Sequence, residues 1–187
     1  MYSTNEFRKG LKVEIEGEPF IIIDNQFVKP GKGQAFSRVR LKSLVSGRVL
    51  DRTFKSGERI DKANIEEFKM QYLYNDAAGY HFMNTSTYEQ VTLGKEQLED
   101  TWKWLIENLE VSVLFHNNRA ISVEAPYFVE LEVTYCEPGH KGDTATGASK
   151  PATLSTGAVV QVPLFVNQGD AIRVDTRSGE YLDRARR

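Results

Sequence analysis

The chain has 187 residues, 40% of them apolar and 27% charged, with a formal net charge of −2. This is the composition of a folded water-soluble chain, not of a disordered or collagenous one. No run approaches the roughly 20 apolar residues of a membrane span, the opening MYSTNEFRKG lacks an apolar signal core, and the one cysteine, Cys136, cannot form an internal disulfide, so a reducing cytoplasm is the expected setting.

The near-zero net charge hides three unequal stretches. Residues 1–64 are net +5, residues 65–127 net −6 and residues 128–187 net −1. A basic first third suits a polyanionic partner at one end of the molecule.

Residues 11–15 alternate apolar and charged, as a half-buried strand does. Gly17-Glu18 turns the chain into an apolar strand over residues 20–28. The turn Lys29-Pro30-Gly31-Lys32-Gly33 follows, and residues 35–41 return. Gly31 and Gly33 tolerate positive φ and carry no side chain, and Pro30 stiffens the approach. Lys32 therefore stands at a hairpin tip with nothing bulky beside it. It is either a solvated turn residue or a probe that reaches a partner. On the returning strand Ala35, Ser37, Val39 and Leu41 share one face, and Phe36, Arg38, Arg40 and Lys42 the other. The second face is a basic stripe able to track a phosphate backbone. Arms of about eight residues would carry the tip roughly 25 Å from the far end of the barrel at ~3.3 Å per residue. A further strand over residues 49–54 and the turn Lys55-Ser56-Gly57 complete the pattern of a five-stranded SH3-like barrel.

A second strand pattern starts at Ile65. A hairpin turns at residues 75–79. Leu98, Trp102, Leu105, Ile106 and Leu109 then recur at spacings of three and four, which predicts a helix over 96–109. Strands over 111–116 and 120–124 close the unit. Five strands with one helix after the third is the OB-fold pattern. Beyond Ala125-Pro126, residues 129–135 alternate as a half-buried strand. A long polar stretch over 137–156 follows, then strands over 159–166 and 171–175 and the start of another at Tyr181-Leu182. This reads as a second OB-like barrel. The expected domains are 1–64, 65–126 and 127–187. Tyr72, Tyr74, Tyr80 and Tyr181 are candidates for stacking on bases.

Nothing in the sequence points to catalysis. The three histidines have no ligand spacing, and no G-x-S-x-G or H-E-x-x-H occurs. Gly31-Lys32-Gly33 lacks the spacing of a phosphate-binding loop. No enzyme, metal or cofactor is expected.

The run Phe27-Val28-Lys29-Pro30-Gly31-Lys32-Gly33-Gln34-Ala35-Phe36 resembles the first-domain tip of the bacterial translation elongation factor P family. Tyr72-Leu73-Tyr74-Asn75-Asp76, Gly142-Asp143-Thr144-Ala145, Lys150-Pro151-Ala152-Thr153-Leu154-Ser155-Thr156-Gly157-Ala158 and Val174-Asp175-Thr176-Arg177-Ser178-Gly179-Glu180-Tyr181 resemble later parts of that family, so the likeness spans the chain. The resemblance implies a mainly β protein of three small barrels, a KOW-like (SH3-like) one and two OB folds, in an L shape that mimics tRNA. It implies a monomeric cytoplasmic factor that binds the 70S ribosome between the P and E sites. There it would stimulate peptide-bond formation and relieve stalling at consecutive prolines. Lys32 would reach P-site peptidyl-tRNA after extension by a lysine-modifying enzyme, for example by β-lysylation. Lys29, Pro30, Gly31 and Gly33 would frame it. Arg38, Arg40 and Lys42 would contact RNA, and Gly142, Asp143 and Thr144 would meet the E-site messenger codon. The alternative is a generic ribosome-associated RNA-binding scaffold in which Lys32 is one phosphate contact among others.

Overall fold

The computed structural model describes residues 1–139 and 148–185. The protein is mainly β, built of three antiparallel sheets. The first sheet holds β1 (Tyr2–Ser3), β2 (Lys12–Ile15), β3 (Glu18–Val28), β4 (Phe36–Ser43), β5 (Val49–Lys55) and β6 (Arg59–Lys62), in the order β1-β6-β2-β3-β4-β5. It has one strand more than the sequence pattern indicates. The addition is β1, two residues long and too short to show alternation. The alternation in β4 is realised: Ser37, Val39, Leu41 and Ser43 are buried, while Arg38 and Arg40 are exposed. Val13, Phe20, Ile22 and Leu41, each at most 1% exposed, anchor the core under this sheet.

The second sheet holds β7 (Ile65–Asp76), β8 (Gly79–Asn84), β9 (Gln90–Leu93), β10 (Glu110–His116) and β11 (Arg119–Glu124), ordered β11-β10-β7-β8-β9. The helix expected over 96–109 is not there as one piece. A single turn, α1 (Lys95–Leu98), ends where Glu99 takes φ 51. A 3-10 segment, Glu99–Trp104, follows, and Asn108 again has positive φ. The apolar spacing was real, but its residues serve separate cores. Trp104, which the helical pattern leaves on the polar side, is buried with Val129, Leu131, Val133 and Val174. Trp102, which the pattern puts inside, is only half-buried and carries the Lys95 ammonium 4.4 Å from its ring centroid.

The third sheet holds β12 (Phe128–Cys136), β13 (Ser149–Leu154), β14 (Val159–Pro163), β15 (Ala171–Asp175) and β16 (Glu180–Arg184), ordered β14-β13-β12-β15-β16. β13 lies within the stretch read as polar. Lys150 is 6% exposed there, and its Nζ donates to the Glu137 carbonyl at 2.6 Å. A buried ammonium so bonded is compatible with a strand, although its sequence does not advertise one. By contact density the described residues form two compact units. One is Met1–Phe68 with Val113–Ser122, the other Lys69–Ser112 with Val123–Arg187. Among the described residues no helix is long and apolar enough to cross a membrane.

Candidate functional site

The first sheet leads to the lysine tip. β3 and β4 pair from Phe20↔Ser43 to Val28↔Phe36, and β4 and β5 pair up to Phe36↔Lys55. The arm that bears the tip is thus three strands wide to its end. A lone hairpin is marginal in water, and a third strand stiffens it. Past the strands, the Ser56 amide donates to the Ala35 carbonyl at 3.0 Å. The Gln34 amide Nε2 donates to the Ser56 carbonyl at 3.3 Å. These bonds tie the base of the tip to the β5–β6 turn.

Within the tip, Lys29, Gly31, Lys32 and Gly33 are exposed and Pro30 is half-buried. Gly33 has φ +102, a conformation that a side chain would strain. Gly31 does not have positive φ, and a Cβ there would meet nothing within 4 Å. The turn geometry therefore does not require glycine there, and any side chain would widen the tip. Lys32 makes no hydrogen bond, ion pair or ring contact with any described residue. The ammonium is left to solvent.

β3 carries one extra residue between Ile22 and Asp24. Such a bulge increases twist and shifts which side chains face which way. Below it Phe20 and Ile22 point into the core. Above it the inward rung passes to Asn25↔Val39 and Phe27↔Ser37, and the outward one to Asp24↔Arg40 and Gln26↔Arg38. The outward face holds the predicted basic stripe, and the structure adds acids to it. Arg40 Nε lies 3.1 Å from Asp51 Oδ1, and Asp24 stands opposite Arg40. Arg38 lies 5.5 Å from the Phe36 ring centroid. Asp24, Arg38, Arg40 and Asp51, with Arg52 and Thr53, line a shallow depression of about 480 Å³. Lys42 lies nearer the core, half-buried between Ile21 and Val49. The stripe is therefore a mixed surface, arginines interleaved with Asp24 and Asp51, and not a run of cations alone. Asp24 and Asp51, distant in sequence, were invisible as its partners until pairing brought them alongside.

Of the tyrosines considered for stacking, Tyr72 is 4% exposed. Burial raises its phenol pKa, and its hydroxyl accepts from Asn75 Nδ2 at 2.8 Å. It cannot stack on a base. Tyr80 and Tyr181 are half-buried. Tyr74 is 56% exposed and lies over His81, whose Nε2 is 2.8 Å from Asp76 Oδ1. That bond holds the Asp76 carboxyl below its usual range. Gly142, Asp143 and Thr144 lie outside the described residues. Among the described residues no cluster of three or more His, Cys, Asp or Glu is placed to hold a metal ion.

Comparison with known proteins covers the whole chain. Residues 3–60 match the family model described as the elongation factor P KOW-like domain, residues 65–123 its OB domain and residues 129–184 its C-terminal domain. Elongation factor P of Moorella thermoacetica is 52% identical over 185 residues, covering 99% of this chain and all of that one. Its counterpart from a Thermoanaerobacter species is 54% identical over 184 residues, covering 98% and 100%. Among solved structures, eukaryotic translation initiation factor 5A from Methanococcus jannaschii superposes with a TM-score of 0.53 at 23% identity, covering 66% of this chain and 93% of that one. That likeness is one of fold.

Proposed function

Because the chain belongs to the elongation factor P family, we propose that it binds the ribosome between the P and E sites and speeds peptide-bond formation where consecutive prolines stall it. It is a translation elongation factor, and the ribosome is the partner such a factor needs. The observation that carries the finer reading is the tip itself: Lys32 stands at the end of a three-stranded arm with no partner among the described residues, on a loop slim enough for a crowded RNA cavity.

Proline reacts slowly because its ring restricts the attacking geometry. A factor can help without an acid, base or metal by holding peptidyl-tRNA in a reactive pose. Orientation alone can supply about 7–11 kcal/mol of a barrier in favourable cases. A stiff arm suits that task, since a flexible one would lose its gain to the entropy of ordering. A lysine-modifying enzyme acting on Lys32 would lengthen the reach and add donors. Lys29, Pro30, Gly31 and Gly33 keep the surroundings narrow. In this reading the segments 1–64, 65–126 and 127–187 act as separate domains, and Gly142, Asp143 and Thr144 meet the messenger codon in the E site.

Lys32→Arg separates this function from that of a generic RNA-binding scaffold. Arginine keeps the positive charge but cannot be acylated as lysine is. Synthesis of a consecutive-proline peptide, measured with natively modified protein, should lose most of its stimulation in Lys32→Arg. Full stimulation by that variant would leave Lys32 as a phosphate contact and overturn the proposal.

A further inference from the structure

We infer that the RNA-facing side of the arm is the one that carries Phe27, not the one that carries Arg38 and Arg40, and that Phe27 is a seat on which an unpaired base at the acceptor end of P-site tRNA stacks. The inference rests on the ribosomal role proposed above and names the surface that serves it.

The two faces of the arm differ in what they leave unsatisfied. On the outward face, Asp24 and Asp51 stand among Arg38 and Arg40, and the Arg40–Asp51 pair is closed at 3.1 Å. An incoming phosphate would compete with carboxylates already in place. On the inward face, above the core, the rungs are Asn25, Val39 and Arg52, then Phe27, Ser37 and Phe54. No acid is among them. The Phe54 ring packs edge-on to Phe7 at 5.3 Å and closes the core. Phe27 lies beyond that closure and is 62% exposed, with no ring or cation contact to any described residue.

The bulge in β3 produces this placement. Without the extra residue between Ile22 and Asp24, residue 27 would fall on the outward face. Basic residues lie on the strands and loop next to this face, none of them in contact with the ring. Lys29 is exposed just past the end of β3, and Arg52, whose rung belongs to this face, is exposed on the edge strand and also borders the outward depression. Arg8 and Lys9 are exposed in the loop that Asn25 holds through the Phe7 carbonyl at 3.1 Å. An exposed aromatic ring with no acid on the rungs of its face, and basic residues on the neighbouring strand ends and loop, suits single-stranded RNA binding: the ring stacks on a base and the cations take the phosphates. An apolar protein partner would not need the cations, and a duplex would not offer a bare base.

The test uses full-length protein and ribosomes with either a filled or an empty P site. Phe27→Leu keeps an apolar side chain and removes the stacking face, and Phe27→Tyr restores it. Phe27→Leu should weaken binding to ribosomes that carry P-site tRNA by about tenfold. Phe27→Tyr should bind like the parent, and all three should bind empty-P-site ribosomes alike. As an arm independent of the ring, Lys29→Gln with Arg52→Gln should also weaken the tRNA-dependent binding and flatten its salt dependence. Unchanged tRNA-dependent binding in Phe27→Leu, with Lys32→Ala inactive, would overturn the inference and leave the proposed function standing. Full activity in Lys32→Ala would remove the proposed function and this inference together. Loss of the added mass on Lys32 in Phe27→Leu would make the ring a docking point for the modifying enzyme and overturn the RNA assignment.

Discussion

Phe27 on the first sheet and Tyr127 beside the third are each 62% exposed, yet their neighbours treat them differently. Arg177 places its guanidinium 4.4 Å over the Tyr127 ring. Asp175 fixes that guanidinium through Nε at 3.2 Å and Nη2 at 3.0 Å, which in turn holds the Asp175 carboxyl below its usual range. Arg173 donates two bonds to Asp183, at 3.1 and 2.6 Å. The Thr176 hydroxyl donates to the Pro126 carbonyl at 2.6 Å and clamps the cluster from below. Phe27 and Lys32 have no such partners among the described residues, although on the other face of the arm Arg38 lies by the Phe36 ring and Arg40 pairs with Asp51. Composition alone would rank the two surfaces equal. What separates them is satisfaction: one surface has spent its polar groups on itself, and the other keeps them available.

The sharpest way to break this comparison is to truncate one cation from each surface. Lys32→Ala should lower stimulation of consecutive-proline synthesis on the order of tenfold or more with an unchanged melting temperature, because no described residue bonds to it. Arg177→Ala should lower the melting temperature slightly and keep stimulation within about twofold, as expected for an exposed ion pair. Equal functional losses in the two variants would remove the distinction between spent and available groups.

A smaller effect concerns pH. In the first unit, Glu18 accepts from Arg48 and from the Ser43 hydroxyl, which holds its carboxyl below the usual range, Arg48 contributing most. A depressed carboxylate stabilises the fold fully above its unfolded pKa of about 4.3. The contribution fades as pH falls from there through the lower folded value. Urea unfolding midpoints should therefore drop less steeply with acid in Glu18→Gln than in the parent. Above about pH 6 the curves should run parallel, with the variant lower. Identical acid limbs would show that Glu18 is solvated like a free carboxylate.

Much of this was legible in the sequence where one face of a strand is buried and the other wet. β4 is the clear case, with its alternation of Ser37, Val39 and Leu41 against Arg38 and Arg40. The tip was legible because glycines and a proline mark a turn whatever surrounds it. The failures have a common cause, that tertiary partners reassign residues. Leu98, Trp102 and Leu105 have helical spacing, but Trp104 leaves the pattern to fill a core with Val129 and Val133, and the helix gives way after one turn. β13 was hidden because it contains Lys150 and Pro151, which look like loop residues until a backbone carbonyl accepts the buried ammonium. The acids on the Arg38–Arg40 face could not be read at all. Asp24 and Asp51 sit on two other strands, and the one-residue bulge in β3 sets which of its residues stand beside the arginines.

The most direct test of the central claim is to locate the tip on the ribosome. A photo-crosslinking amino acid placed at position 32 of the full-length protein, bound to ribosomes carrying peptidyl-tRNA in the P site, should yield a crosslink to the acceptor end of that tRNA. The crosslink should disappear when the P site is empty. A crosslink confined to other RNA or to ribosomal protein, unchanged by the presence of the tRNA, would contradict the account.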